Sequence, residues 1–228
     1  MAITLYDLAA ADPAVRFSPY CWRTRFALAH KRLAVQTEPW RFTEKARIGF
    51  SGQGRVPVIV NGADTVADSW AIAEYLERLY PEPSLFGGAA GQAHALFINA
   101  WADTVLQPGI SRLIVADIVQ AIDPRDQAYF RESREQAFGA TLEQVVAGRE
   151  GRLEAWRASL SPMRAVLRKQ PWLGGEAPDY ADYIVLGSLQ WPRCISRFHL
   201  LADDDPVRAW QARGLALFDG LGEKAARV

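Results

Sequence analysis

The residue pattern of this chain predicts an α+β first domain, a mixed four-stranded sheet flanked by helices, followed by an all-α second domain. Three observations carry that expectation. Through residues 1–80, short β-type runs alternate with helical periodicity in the order βαβ and then ββα. Pro81, Pro83 and Gly87-Gly88 then punctuate the chain. Beyond them apolar residues recur at helical spacing and no strand pattern stands out.

Taken in order, Ile3 to Tyr6 reads as a strand and Ser18 to Lys31 as a helix, with Trp22, Phe26 and Ala29 on one face. Leu33 to Trp40 is a second strand, followed by a weak segment, Phe42 to Phe50, and the loop Ser51-Gly52-Gln53-Gly54. Val56 to Val60 is a third strand. Asn61-Gly62 is a hairpin-turn signal, so Asp64 to Val66 is expected to return antiparallel. Ser69 to Tyr80 has Ile72, Leu76 and Leu79 at helical spacing.

In the second half, His94 to Ile122 reads as a helix kinked or split at Pro108-Gly109. Asp126 to Val146, Leu153 to Lys169 and Pro206 to Phe218 are further helices. Asp179-Tyr180-Ala181-Asp182 is a variant capping box. The helix it opens, Ile184 to Trp191, is apolar nearly all round and is expected in the middle of its domain. The expected organisation is a first domain over 1–82, a linker over 83–93 and a helical domain over 94–228.

Composition narrows the function classes. Half of the 228 residues are hydrophobic, enough for a sizeable core. Lys plus Arg equals Asp plus Glu at 26 each, so no global field draws the chain to nucleic acid or to an acidic membrane surface. Cys21 and Cys194 are the only cysteines, too few for a disulfide framework, and with three histidines they suggest no zinc site. The start lacks a signal-peptide pattern and no run approaches the ~20 apolar residues of a membrane span, so a reducing, cytoplasmic setting is expected.

Ser18-Pro19-Tyr20-Cys21 is the most informative motif. A C-x-x-C here would read as a redox site, but Ser18 occupies the place of the attacking thiolate. Serine forms no disulfide; it can hydrogen-bond a thiolate that a bound cofactor brings. A helix cap alone also explains Ser at N-cap and Pro at the first helical position. The two roles use one geometry, because a helix N-terminus offers free N–H groups and a positive dipole end. Lowering a free thiol's pKa by two units takes ~2.7 kcal/mol of preferential stabilisation, within reach of a hydroxyl donor and a helix end.

Two further motifs fit a peptide ligand. Val56-Pro57 puts a proline at a strand start; cis X-Pro bonds are only ~5–6% of such bonds, so the local expectation is a trans edge proline, whereas a cis bond would expose the Val56 N–H and C=O to an added strand. Asp68-Ser69 reads as another N-cap or as a receptor for an amino-acid head group, the carboxylate suiting an ammonium and the hydroxyl with helix N–H groups suiting a carboxylate. Two helix ends and one free strand edge suit a small zwitterionic thiol peptide.

Ser18-Pro19-Tyr20, Val56-Pro57 and Asp68-Ser69, in that order and followed by an all-helical half, resemble the glutathione transferase family over essentially the whole chain. The resemblance implies a thioredoxin-like first domain with a cis proline at Pro57. It implies that Ser18 hydrogen-bonds the thiolate of glutathione as co-substrate, that the Val56 main chain pairs with its cysteinyl unit, that Asp68 and Ser69 hold its γ-glutamyl end and that Arg55 adds a contact. Asp182 matches a structural capping aspartate. A homodimer and a small hydrophobic, aromatic electrophile follow from the family as well, with general detoxifying conjugation, thiol oxidoreduction and plain glutathione binding as the alternatives.

Within the family, Trp22 to Lys31, Asp68 to Leu76, Trp172 to Gly175, Ser133 to Gln136, Ala147 to Glu150 and Leu217 to Gly222 are similar to bacterial glutathione-dependent β-aryl etherases of lignin breakdown. The loop Ala9 to Phe17 departs from that subgroup beside Ser18. Tyr20, Trp101 and Thr104 are candidates for the electrophile wall, with Gln107 on the same stretch and Trp101 also suited to the core. Cys21 and Cys194 read as buried small hydrophobes, His30, His94 and His199 as non-catalytic, and Arg125, Arg131 and Arg134 as a solvated helix face.

Overall fold

The computed structural model describes residues 2–228. The first domain is a four-stranded sheet in the order β2-β1-β3-β4. β1 (Ile3–Leu8) leads through α1 (Pro19–His30) to β2 (Val35–Trp40), which pairs parallel to β1. β3 (Val58–Asn61) pairs antiparallel to β1, and β4 (Asp64–Ala67) returns along β3 through a tight turn in which Gly62 supplies a φ of 62°. Pairing in β3 begins only after Pro57, which cannot donate to a ladder. The weak segment after β2 contains a 3-10 turn over Lys45–Ser51, and α2 (Ser69–Leu79) closes the domain.

The helical domain comprises α3 (Ala89–Trp101), α4 (Gln107–Ala121), α5 (Pro124–Phe138), α6 (Leu142–Val146), α7 (Arg149–Ala158), α8 (Ser161–Leu167), α9 (Tyr180–Ile195) and α10 (Pro206–Gly220). The expected break at Pro108-Gly109 lies earlier. A wide π turn over Ala102–Leu106 joins α3 to α4, and Pro108 sits in the first turn of α4. The physical reason is that a proline disturbs the residue four before it, here Thr104, whose carbonyl it cannot serve. The helix expected over 126–146 is two, because Gly139 ends α5 in the left-handed region at φ 67°. The helix expected over 153–169 is also two, α7 stopping before Ser161-Pro162. α3 begins at Ala89, inside the expected linker, and the end of α10 is kinked, with Phe218 and Asp219 at positive φ.

α9 passes through the centre, as its all-round apolar pattern predicts: every residue from Tyr180 to Gln190 is buried. α1 lies against it, Phe26 stacking on Tyr183 at 5.8 Å. The approach is close because position 187 is glycine; a Cβ there would lie 2.5 Å from the Pro19 carbonyl oxygen and 2.9 Å from the Arg23 nitrogen. Polar ties also join the halves. Buried Arg23 of α1 bonds Asn99 and pairs with Asp103, and His30 bridges the Tyr183 hydroxyl and the Ser84 carbonyl. Buried Asp126 of α5 accepts the Phe42 and Thr43 N–H groups, drawing the loop after β2 against the helical domain. Among the described residues no helix is long and apolar enough to cross a membrane.

Candidate active site

Ser18 is the N-cap of α1, extended at φ −67° and ψ 127°, with Pro19 in the first turn. Its Oγ accepts the Cys21 N–H at 3.2 Å. That bond occupies one lone pair and leaves the hydroxyl proton available. Its neighbour within the chain is the Cys21 thiol, a poor acceptor while neutral. Burial first, and then the charge of Asp7, push that thiol well above its usual range, so it stays protonated. Cys21 is fully buried and offers no nucleophile to solvent.

Asp7 behind it is a residue the sequence analysis missed. It is fully buried on β1, its pKa raised by desolvation against the lowering effect of Arg25, 3.4 Å away, and of Arg16. One carboxylate oxygen has no partner among the described residues. The available signal was a carboxylate inside the otherwise strand-forming run Ile3 to Leu8.

Ser18 opens into a cavity of about 420 Å³ between the sheet domain and α4, α5 and α9. Its far wall is the stripe Gln107, Ser111, Val115 and Ile118 along α4. Phe17, Trp40 and Phe42 line the sheet side; Tyr129, Phe130 and Trp191 come from the helices. Tyr20, Arg55 and Val56 also face it. Val56 precedes the pairing of β3 and the Val56-Pro57 bond is cis. Among the described residues its main-chain N–H and C=O make no hydrogen bond within the chain. A volume of this size, aromatic walls and a few polar groups are what a small-molecule site requires.

Trp101 and Thr104 do not line this cavity. Thr104 is exposed on the π turn and donates its hydroxyl to the Ala100 carbonyl; Trp101 is half-buried against the core. Gln107, one turn further on, takes the facing position, where its amide bonds the Ser188 hydroxyl. From the loop over 9–17 only Phe17 reaches the cavity. Asp68 and Ser69 do not line the cavity; Asp68 is exposed and Ser69 buried. Asp68 caps α2, accepting the Trp70 and Ala71 N–H groups, while its own N–H donates to the Pro57 carbonyl.

Arg134 overturns the expectation of a solvated helix face. It lines the cavity, its guanidinium 5.0 Å from the Phe130 ring centre and 5.8 Å from that of Phe42. Burial, and then the charge of Arg55, lower its pKa from the usual guanidinium range. A larger cavity of about 750 Å³ lies between α9 and α10 and shares no residue with this one.

The fold and the site together define a two-domain protein with a thioredoxin-like sheet domain, a helical domain and a ligand cleft between them at the start of α1. Comparisons agree with that class. Residues 17–79 match the model of the glutathione S-transferase N-terminal domain, and residues 93–205 that of the C-terminal domain. The chain belongs to the glutathione S-transferase family. It is 30% identical over 139 residues to a glutathione S-transferase-like protein, ustS, of Aspergillus flavus, covering 54% of this chain and 49% of that one. The chain spans about half the length of the curated relatives it matches.

Among solved structures it resembles glutathione transferase GSTFuA3 of Phanerochaete chrysosporium, with a TM-score of 0.83 and 25% identity over 96% of this chain and 97% of that one. It also resembles a glutathione S-transferase of Ceriporiopsis subvermispora solved in complex with glutathione, with a TM-score of 0.79 and 25% identity over 98% of both chains.

Proposed function

We propose that this protein is a glutathione transferase in which Ser18 holds the thiolate of glutathione for attack on a hydrophobic, aromatic electrophile. The observation that carries this is the Ser18 hydroxyl, capping α1 with its proton uncommitted to any strong acceptor, at the floor of an aromatic cavity. The unpaired Val56 main chain supplies a strand edge for the cysteinyl unit, and Asp68 and Ser69 at the start of α2 supply the end that takes the γ-glutamyl group.

The chemistry asked of the chain is modest. The α1 N-terminus and the Ser18 hydroxyl favour the charged form of the bound sulfur, and the cavity walls orient the electrophile against it. A sulfur–carbon bond forms, the bond from that carbon to its leaving group breaks, and the leaving group departs with the electron pair. The finer proposal is that the leaving group is an aryloxide and the substrate a lignin-derived β-aryl ether. The segments similar to β-aryl etherases support it; one of them, Ser133 to Gln136, contains Arg134 of the cavity wall.

A homodimer is part of the proposal, supported by apolar side chains left exposed at Phe50, Leu79, Leu96, Phe97 and Val105. Thiol oxidoreduction is disfavoured because position 18 is serine and Cys21 is sealed and protonated.

The test is a glutathione-dependent assay with two electrophiles, a fluorogenic β-aryl ether and a chlorinated nitroaromatic. Phenol release with thioether formation supports the ether reaction. Conjugation of the nitroaromatic alone keeps the transferase and removes the etherase. No thioether from either, with glutathione demonstrably bound, identifies a non-catalytic glutathione-binding protein.

A further inference from the structure

The cavity carries two guanidinium groups, Arg55 and Arg134, and no carboxylate among its lining residues. Arg134 is half-buried and Arg55 exposed; elsewhere in the chain Arg23 pairs with Asp103, Arg25 with Asp7, Arg149 with Asp117 and Arg164 with Asp205, while half-buried Arg16 and Arg193 bond main-chain carbonyls. Among the described residues neither Arg55 nor Arg134 has a carboxylate within 4.0 Å. The one hydrogen-bond partner of Arg134 is the Ser133 hydroxyl, at 3.2 Å. A guanidinium has five N–H donors in a planar fork. Here the fork is packed over Phe42 and Phe130, which fixes its plane and leaves its remaining donors to the cavity. Two like charges facing one partly desolvated space disfavour each other, and a bound anion removes that cost.

We infer that this site prefers an aromatic electrophile bearing a carboxylate, which seats on Arg134 while the ring lies among Phe17, Phe42 and Phe130. The inference rests on the transferase reading and names its substrate class. A carboxylate can reach these arginines from two carriers, the electrophile or the glycyl end of glutathione. Arg55 precedes the Val56 strand edge and suits the peptide; Arg134 stands across the cavity on α5 and suits the electrophile.

The experiment compares 4-(chloromethyl)benzoate with its methyl ester as electrophiles for glutathione, in the wild type, Arg134→Met and Arg134→Lys. In the wild type kcat/KM for the acid is expected to exceed that for the ester by about tenfold, relative to their uncatalysed rates. Arg134→Met brings that ratio near one, and Arg134→Lys retains part of it. A ratio near one in the wild type, or an unchanged ratio in Arg134→Met, overturns the inference while thioether formation keeps the transferase. An increase in KM for glutathione in Arg134→Met that disappears with glutathione glycinamide assigns the carboxylate to the peptide and also overturns it.

A binding arm separates the two failures. Quenching of cavity tryptophan fluorescence by 4-methylbenzoate and by methyl 4-methylbenzoate needs no turnover, since Trp40 and Trp191 line the site. If neither of these electrophiles, nor the β-aryl ether or the nitroaromatic, gives a thioether above its uncatalysed rate, the transferase reading falls. A wild-type Kd about tenfold lower for the acid, levelled in Arg134→Met, then still supports an aromatic-carboxylate site, and equal values overturn it.

Discussion

Two helices packed against each other, α1 and α9, use the same local chemistry at their starts for different ends. At the start of α9 the Asp182 carboxylate is saturated. It accepts the N–H groups of Leu173 at 2.8 Å, Gly174 at 2.9 Å and Asp179 at 3.2 Å, and the Trp210 indole at 2.8 Å. At the start of α1 the Ser18 hydroxyl accepts a single N–H and faces a cavity. A cap whose capacity is consumed by its own chain is architecture. A cap with capacity to spare, opening into space for a ligand, is a candidate site.

The comparison breaks most visibly at Asp182. Asp182→Ala leaves three backbone donors and an indole N–H without their acceptor, and a loss of roughly 3–5 kcal/mol is expected. Urea denaturation measures it; a change below about 1 kcal/mol would mean that the buried carboxylate is not the structural keystone described here. Ser18→Ala reverses the balance. Stability falls by only about 1 kcal/mol, the ordinary cost of a lost cap. Turnover at neutral pH falls about 10–100-fold, and the apparent pKa of bound glutathione rises by about 1–2 units in an ultraviolet thiolate titration. An unmoved titration would falsify the thiolate role.

Gly187→Ala tests how the middle of α9 holds the start of α1. Its Cβ meets backbone atoms of α1, which yield only if the helix shifts. A cost of about 1–2 kcal/mol is expected, with a several-fold loss of turnover because Ser18 moves too. If stability drops while the rate per folded molecule is unaffected, the start of α1 is held by something other than this contact.

The smallest effect concerns acid. Burial and the neighbouring Asp182 charge raise Asp179 to about 6. The folded state therefore binds more protons than the unfolded chain between about pH 4 and pH 6, and stability falls as pH rises through that window. Asp179→Asn keeps the cap and removes this contribution. Relative to that variant, the wild type is expected to lose on the order of 1 kcal/mol between pH 4 and pH 7, read from paired denaturation curves. Parallel curves at both pH values would remove Asp179 as the titrating group.

Much of the fold was legible because its signals are local. The βαβ-ββα order, the Asn61-Gly62 turn and the capping pattern at Asp179 each act over a few residues, and each forms where expected. Helix lengths were less legible. Gly139 and Ser161-Pro162 end helices through backbone effects that periodicity alone runs across. The site divides along the same line. Ser18 and Val56 reach the cavity because a cap and a pre-proline residue place themselves. Trp101 and Thr104 miss it because the π turn redirects the helix face, so that Gln107 stands there instead.

By itself the sequence determined where α1, α2 and α10 begin and that a hydroxyl crowns α1, since those features depend on steric and hydrogen-bonding rules between near neighbours. Tertiary structure alone decided which side chains share the cavity. Arg134, drawn from a helix face that reads as solvated, shares the cavity with Ser18 because Asp126 draws the loop after β2 onto α5 and α1 docks on Gly187. Charges and rings that lie far apart along the chain become neighbours only when packing brings their elements together, and no local pattern encodes that juxtaposition.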